Sequence, residues 1–133
     1  MRSVWGCAVA AMITLGACAP QSAPPDVSPA EVSALQAKWQ GKWAGTWESG
    51  CTGAITVDEI SGSTTRVLYE WGACDGGSPG DARRTATIEG DQLRVNLFGQ
   101  DEAVYTLVDA NTLDGFWSDP SDGATDRGTF RRE

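Results

Sequence analysis

The chemistry open to this chain is limited first by a residue type that it lacks. None of its 133 residues is histidine, which excludes a Ser-His-Asp triad, a Cys-His pair and most zinc sites. Pairs of carboxylates could still act as the acid and base of a glycosidase, but the Asp and Glu residues fall mainly in predicted turns, where solubility and turn geometry favour them. The sequence therefore predicts a protein that is not an enzyme and has no cofactor.

The densest group of carboxylates lies in the segment 119–126, which holds Asp119, Asp122 and Asp126 around Gly123. Hard oxygen ligands of this kind can hold calcium, but the spacing does not match an EF-hand loop. Two interpretations stay open, a calcium site and a solvated acidic loop. Runs of acids are more often solvated, so we expect no metal site.

Aromatic side chains are the other group that could act on a ligand, in this case by stacking. Trp47, Tyr69, Trp71 and Trp117 occupy positions predicted to point into a β-domain. Aromatic residues in such places are usually core, although an interior bounded by about eight strands is wide enough for one small ligand. We expect the four residues to be core first, and to line a shallow pocket for a small apolar ligand second.

The first element that could position these side chains is a short helix. The segment 28–31, Ser-Pro-Ala-Glu, combines an N-cap serine, proline at the first helical position and a capping-box glutamate. Val32, Leu35 and Trp39 then recur at helical spacing and form an apolar stripe. The sequence predicts one amphipathic helix over 29–39.

After the helix, the hydrophobic period changes to two. Val67, Tyr69 and Trp71 alternate with polar neighbours, and Gly, Asp, Asn, Ser and Pro clusters recur about every 8 to 12 residues, which is typical of all-β domains. We expect eight strands, at 42–49, 53–60, 64–72, 83–89, 92–98, 103–108, 113–117 and 125–132. Short hairpin turns would include Ser61-Gly62, Gly90-Asp91, Gly99-Gln100 and Ala110-Asn111.

Strands of this kind favour closure, because closure removes the unpaired edges of an open sheet. The predicted fold is all-β, an eight-stranded antiparallel up-and-down barrel with one short N-terminal helix. A two-sheet sandwich stays open as the alternative. In the barrel, the loops after strands 1, 3, 5 and 7 share one end. The helix lies at the other end, where Val32, Leu35 and Trp39 could close the floor.

The N-terminal segment has the features of an export signal. Arg2 precedes an apolar stretch that is too short to span a bilayer of about 30 Å. The stretch ends Leu15-Gly16-Ala17-Cys18 and resembles the bacterial lipobox, in which the cysteine thiol is joined to diacylglycerol before cleavage. The resemblance implies a removed signal peptide at 1–17, lipidation of Cys18 and a Pro-rich tether over 18–28.

The lipobox resemblance also implies a location. Inner-membrane retention in Gram-negative lipoproteins uses an aspartate directly after the lipidated cysteine, and this chain has Ala19 there. The expected location is the bacterial cell envelope, at the outer membrane and facing the periplasm.

Export would leave two cysteines to form a disulfide. Cys7 would depart with the signal and Cys18 would carry the lipid, so Cys51 and Cys74 remain. Disulfides persist in exported proteins. We therefore predict a Cys51–Cys74 bond that closes a loop of about 24 residues.

The charge of the chain limits the classes of partner that we expect. A formal net charge of −8 repels phosphate backbones, so nucleic acid is not expected as a partner. The predicted partners are the membrane, through the lipid anchor, and either a small apolar ligand or another envelope protein.

Gly45-Thr46-Trp47 near the start of the first strand, with Arg131 or Arg132 at the end of the last, resembles the lipocalin and avidin-like (calycin-type) barrels. In those proteins a Gly-X-Trp tryptophan packs across the barrel base under a late arginine. The resemblance covers the predicted barrel domain, 42–133. Together with the lipobox and the lack of histidine, it gives the expected function, a membrane-anchored lipoprotein with a non-enzymatic binding barrel whose ligand is unknown.

The same triplet and the Cys51, Cys74 pair are also similar to small secreted inhibitors of bacterial metalloproteases. These inhibitors are barrels of similar size with an early Gly-X-Trp and one disulfide. The alternative function is therefore an envelope-located inhibitor of a secreted metalloprotease.

Overall fold

A computed structural model describes residues 28–74 and 76–133. The predicted signal peptide, the lipidation site Cys18 and nearly all of the predicted tether lie outside the described residues, as does Asp75. No helix within the described ranges has the length and apolar character needed to cross a membrane.

Helix α1 covers Pro29–Trp39 and begins as its capping pattern predicts. The Ser28 hydroxyl accepts a hydrogen bond from the backbone N–H of Glu31, and the Glu31 carboxylate accepts one from the backbone N–H of Ser28. This reciprocal pair satisfies two N–H groups that have no partner within the helix. The helix therefore has a defined start.

The remaining elements form one closed, all-antiparallel barrel in which each strand pairs with its sequence neighbours and the first strand pairs with the last. The strands are β1 (Gly41–Trp47), β2 (Thr52–Ser61), β3 (Thr64–Trp71), β4 (Gly80–Glu89), β5 (Gln92–Asn96), β6 (Glu102–Asp109), β7 (Thr112–Asp119) and β8 (Ala124–Arg132). The up-and-down barrel is confirmed, and the sandwich alternative is wrong because β1 and β8 complete the ring.

Closure depends on a close approach between β1 and β8. Gly45 pairs with Phe130, and a β-carbon at Gly45 would overlap the backbone oxygen of Thr129. Glycine is therefore required where the two strands meet, because any side chain would push the backbones apart.

Helix α1 packs at the end of the barrel that holds the β2–β3, β4–β5 and β6–β7 turns, which we call the closed end. Trp39 is fully buried in the core and Leu35 packs against it, while Val32 is half-buried. Lys38 forms an ion pair with Asp91 in the β4–β5 turn, and the Gln40 side chain donates to the backbone oxygen of Asp58. The predicted floor of the barrel is thus present, with Trp39 as its main apolar contact.

The tryptophan beneath the late arginine is not the predicted one. Arg132 lies over Trp43, with its guanidinium carbon 4.1 Å from the ring centre, and donates to the backbone oxygens of Lys38 and Gln40. Trp47 lies nearer the opposite end, where it pairs with Gly128. The assignment of Trp47 to the barrel base is therefore wrong. Gly41-Lys42-Trp43 has the same Gly-X-Trp spacing, and Trp43 is the tryptophan that pairs with Arg132.

The predicted disulfide between Cys51 and Cys74 is confirmed, with the two Cα atoms 5.2 Å apart. Cys51 precedes β2 and Cys74 lies in the connection after β3. The bond therefore joins two loops at the end opposite helix α1, which we call the open end.

Candidate ligand-binding site

A cavity of about 680 Å³ lies at the open end of the barrel. All four aromatic residues singled out in the sequence line it: Trp47, Tyr69, Trp71 and Trp117. The remaining lining residues are Glu48, Ser49, Cys51, Thr52, Cys74, Leu97, Phe98, Asp101, Thr125 and Asp126. The structure thus brings the predicted aromatic residues together in one place, between the loops of the open end.

Strand β3 supplies two walls of the cavity. Tyr69 and Trp71 are two positions apart, so both point inward from the same face of the strand. Their ring centres are 5.8 Å apart, and the two ring planes are inclined by 29°. The Trp71 indole N–H donates to the backbone oxygen of Ser78. This hydrogen bond ties the orientation of the Trp71 ring to the β3–β4 connection.

Beneath the cavity the interior is filled by a layer of aromatic rings, which we call the aromatic layer: Trp47, Tyr105 and Phe130. Trp47 meets Phe130 edge-on at 4.9 Å, and Tyr105 meets Phe130 at 5.4 Å. A β-carbon at Gly115 would come within 2.7 Å of the Phe130 ring, so this glycine makes room for the layer. The barrel interior is therefore packed at this layer, and the cavity lies above it.

Phe98 is a lining residue that the sequence pattern did not identify. The pattern places it at the end of the fifth strand, but β5 ends at Asn96, and the alternation of inward and outward positions no longer applies beyond that residue. Phe98 is 44 % exposed and contacts the Trp71 ring edge-on at 5.3 Å. An exposed aromatic ring beside an aromatic cavity wall extends the apolar surface open to a ligand.

The rim of the cavity is acidic. Burial raises the pKa of the Asp101 carboxyl group, and the neighbouring Asp119 carboxylate adds to that rise, while Trp117 lowers it in part. Hydrogen bonds from Ser121 hold the pKa of Asp119 below its usual value. Burial also raises the pKa of the Tyr69 hydroxyl, with smaller contributions from the negative charges of Asp126 and Asp101. The carboxylates therefore lie close enough to the cavity wall to act on Tyr69.

The segment 119–126 forms a turn stabilised by its own carboxylates. Asp119 accepts hydrogen bonds from the backbone N–H and the hydroxyl of Ser121, and Asp122 accepts one from the backbone N–H of Ala124. No group of three or more potential metal ligands occurs within residues 28–74 and 76–133. In the structure these side chains serve turn geometry.

The sequence matches no protein-family model, and no curated protein matches it either. Several solved structures of designed proteins are similar in fold. A redesigned β-barrel, mFAP1, bound to DFHBI is 23 % identical with a TM-score of 0.58, and the alignment covers 76 % of this chain and 99 % of that one. A de novo designed fluorescence-activating β-barrel is 15 % identical, with a TM-score of 0.55 and coverage of 74 % and 97 %. These likenesses show a shared barrel fold.

Proposed function

We propose that this protein is a lipid-anchored envelope protein whose barrel binds a small, largely apolar molecule in the cavity at its open end, without catalysing a reaction. The observation that carries the ligand-binding part is the convergence of Trp47, Tyr69, Trp71 and Trp117 on one cavity of about 680 Å³. Typical small-molecule sites have volumes of roughly 300 to 1,000 Å³ and mainly apolar or aromatic walls.

Two further observations support a small-molecule ligand. The aromatic layer below gives the cavity a floor, so a ligand would rest on packed side chains. Among the similar designed barrels, mFAP1 is bound to DFHBI. A barrel of this architecture and size is thus able to hold one small molecule between its strands.

Titration with Prodan, a neutral apolar dye, tests the proposal. We expect saturable binding of one dye per chain, a blue shift of dye emission and quenching of tryptophan fluorescence. Replacing Trp71 by alanine removes one wall and should weaken binding about tenfold. The matched control is Phe116→Ala, which removes a half-buried ring that does not line the cavity. If both variants weaken dye binding equally, or if neither Prodan nor a charged aromatic probe of similar size binds, ligand binding in this cavity is disproved.

The lipid anchor requires a separate test, because Cys18 lies outside the described residues. Mass spectrometry of the native protein from membranes should find an N-terminal Cys18 that carries diacylglycerol, with residues 1–17 removed. The Cys18→Ser variant should leave the membrane fraction. An unmodified Cys18 thiol, or a retained leader, would disprove the anchor and with it the proposed location at the outer membrane facing the periplasm. Dye binding would be unaffected.

Inhibition of a secreted metalloprotease stays a prediction of the sequence. It rests on the Gly45-Thr46-Trp47 triplet and on the Cys51–Cys74 disulfide, and neither feature distinguishes an inhibitor from a ligand-binding barrel. We therefore favour the function that the cavity supports.

A further inference from the structure

The charged residues that line the cavity all have the same sign. Glu48, Asp101 and Asp126 are lining residues, and no lysine or arginine is among the lining residues of the described chain. An aromatic cavity for a neutral ligand has no need of three carboxylates, and an anionic ligand would be repelled by them. The charge pattern therefore carries information about the ligand beyond its apolar character.

Within the described residues, none of the three carboxylates forms an ion pair with a lysine or arginine. Six ion pairs occur among the described residues, and none includes Glu48, Asp101 or Asp126. The Asp126 carboxylate is held in place, because it accepts hydrogen bonds from the hydroxyl of Ser49 at 2.6 Å and from the backbone N–H of Arg127 at 2.9 Å. It is thus a fixed negative charge at the cavity wall.

Arg84 packs against the lining residue Phe98, and its guanidinium group already donates hydrogen bonds to backbone oxygens. Its guanidinium carbon lies 5.0 Å from the centre of the Phe98 ring. It donates to the backbone oxygen of Leu97 at 2.6 Å and to that of Arg83 at 2.8 Å. Arg84 therefore supports Phe98 from outside the cavity and shows that this ring accepts a cation on its face.

We propose that the ligand of this cavity is an organic cation, an amine or quaternary ammonium compound with an aromatic or alkyl body. The inference rests on the proposed ligand-binding function and specifies its ligand class. The rings of Tyr69, Trp71 and Trp117 would pack against the body of the ligand and present their faces to its cationic group. The carboxylates at the rim would supply the opposite charge.

Two physical effects favour a cation over a neutral molecule of the same shape. The faces of tryptophan and tyrosine rings attract cations, and the attraction strengthens where water is excluded. Asp101 also lies beside a second carboxylate, that of Asp119, so a positive charge bound near Asp101 would relieve the repulsion between these two groups. A bulky ammonium group loses less hydration than a small ion, because its charge is already shielded by carbon.

Three probes of matched shape separate charge from apolar contact: naphthylmethyl-trimethylammonium, neopentylnaphthalene and naphthylmethanesulfonate, which are a cation, a neutral molecule and an anion. Binding to the full chain is measured by calorimetry and by NMR shifts of the tryptophan indole N–H groups. The cation should bind about tenfold more tightly than the neutral isostere, and the anion should bind most weakly. The advantage of the cation should shrink as salt concentration rises.

Two double variants test whether the lining carboxylates cause the preference for the cationic probe. Glu48→Gln with Asp101→Asn removes two charges from the cavity wall and should weaken binding of the cation by about five- to tenfold, while the neutral probe is unaffected. The matched control, Glu59→Gln with Asp114→Asn, removes two exposed charges from positions that do not line the cavity. It should leave the affinity for the cation within about twofold of the parent chain.

The outcomes distinguish this inference from the proposed function. Equal binding of the cation and the neutral probe, tighter binding of the anion, or an equal loss in the two double variants overturns the cationic ligand and leaves a small-molecule barrel in place. The same holds if Prodan binds and the cation does not. If neither Prodan nor any of the three probes binds, the proposed function is disproved and the cationic ligand with it.

Discussion

Replacing Trp43 by alanine is expected to lower the free energy of unfolding by about 4 kcal/mol, a large part of the stability of a domain of this size. Trp43 is fully buried. Its indole N–H donates to the backbone oxygen of Trp39 at 3.0 Å, and Arg132 packs on its ring. The substitution therefore creates a cavity at the closed end, and it also releases both the helix carbonyl and the arginine that hold helix α1 to the barrel.

The measurement is urea unfolding followed by circular dichroism. Trp71→Ala is the matched control, because it removes the same side chain from a half-buried position at the open end and should cost about 1 kcal/mol. If the two alanine variants lose equal stability, the burial of Trp43 and its contacts with helix α1 do not contribute the expected free energy.

Loss of the Cys51–Cys74 disulfide has the second largest expected effect. The cysteines are 23 positions apart, and on the chain-entropy account a cross-link closing a loop of this length stabilises the fold by about 3 kcal/mol. The double variant Cys51→Ala with Cys74→Ala should lose this amount in urea unfolding. Because both cysteines line the cavity, the variant should also bind Prodan more weakly.

Reduction supplies the control for this prediction. The parent chain treated with a strong reductant should unfold at the same urea concentration as the double variant, and the reductant should not change the double variant itself. A double variant within about 1 kcal/mol of the oxidised parent would contradict the chain-entropy account.

Much of the barrel could be predicted from local sequence because strand and turn signals are local. Val67 and Tyr69 are buried in β3 at the expected spacing of two, and the Gly90-Asp91 turn separates β4 from β5 as expected. Gly90 has a φ of 60°, which is the conformation that favours glycine in a tight hairpin. Alternation and turn chemistry depend on neighbours in sequence, and a single chain displays both.

The identity of the tryptophan at the barrel base could not be predicted in the same way. Trp43 and Trp47 lie on the same strand, both follow a Gly-X spacing, and both point inward. What separates them is the register of β1 against β8, which pairs Trp43 with Arg132 and Trp47 with Gly128. Register between the first and last strands is a long-range property, and no local pattern records it.

The candidate site could be predicted where it lies on strands but not where it lies on loops. Tyr69 and Trp71 follow from the period of β3. Phe98 and Asp101 lie in the connection between β5 and β6, where no repeating pattern relates a position to a direction. Strand order places the loop containing Asp101 at the open end, but its part in the cavity wall depends on how the loop folds back.

The aromatic layer of Trp47, Tyr105 and Phe130 separates the interior into two compartments with different tolerance of change. Below it, the side chains are closely packed, so a substitution that changes side-chain volume disturbs its neighbours. Above it, the walls come largely from loops and strand ends, where exchanges are tolerated. Substitutions in the cavity wall should therefore cost less stability than substitutions in the packed core beneath the aromatic layer.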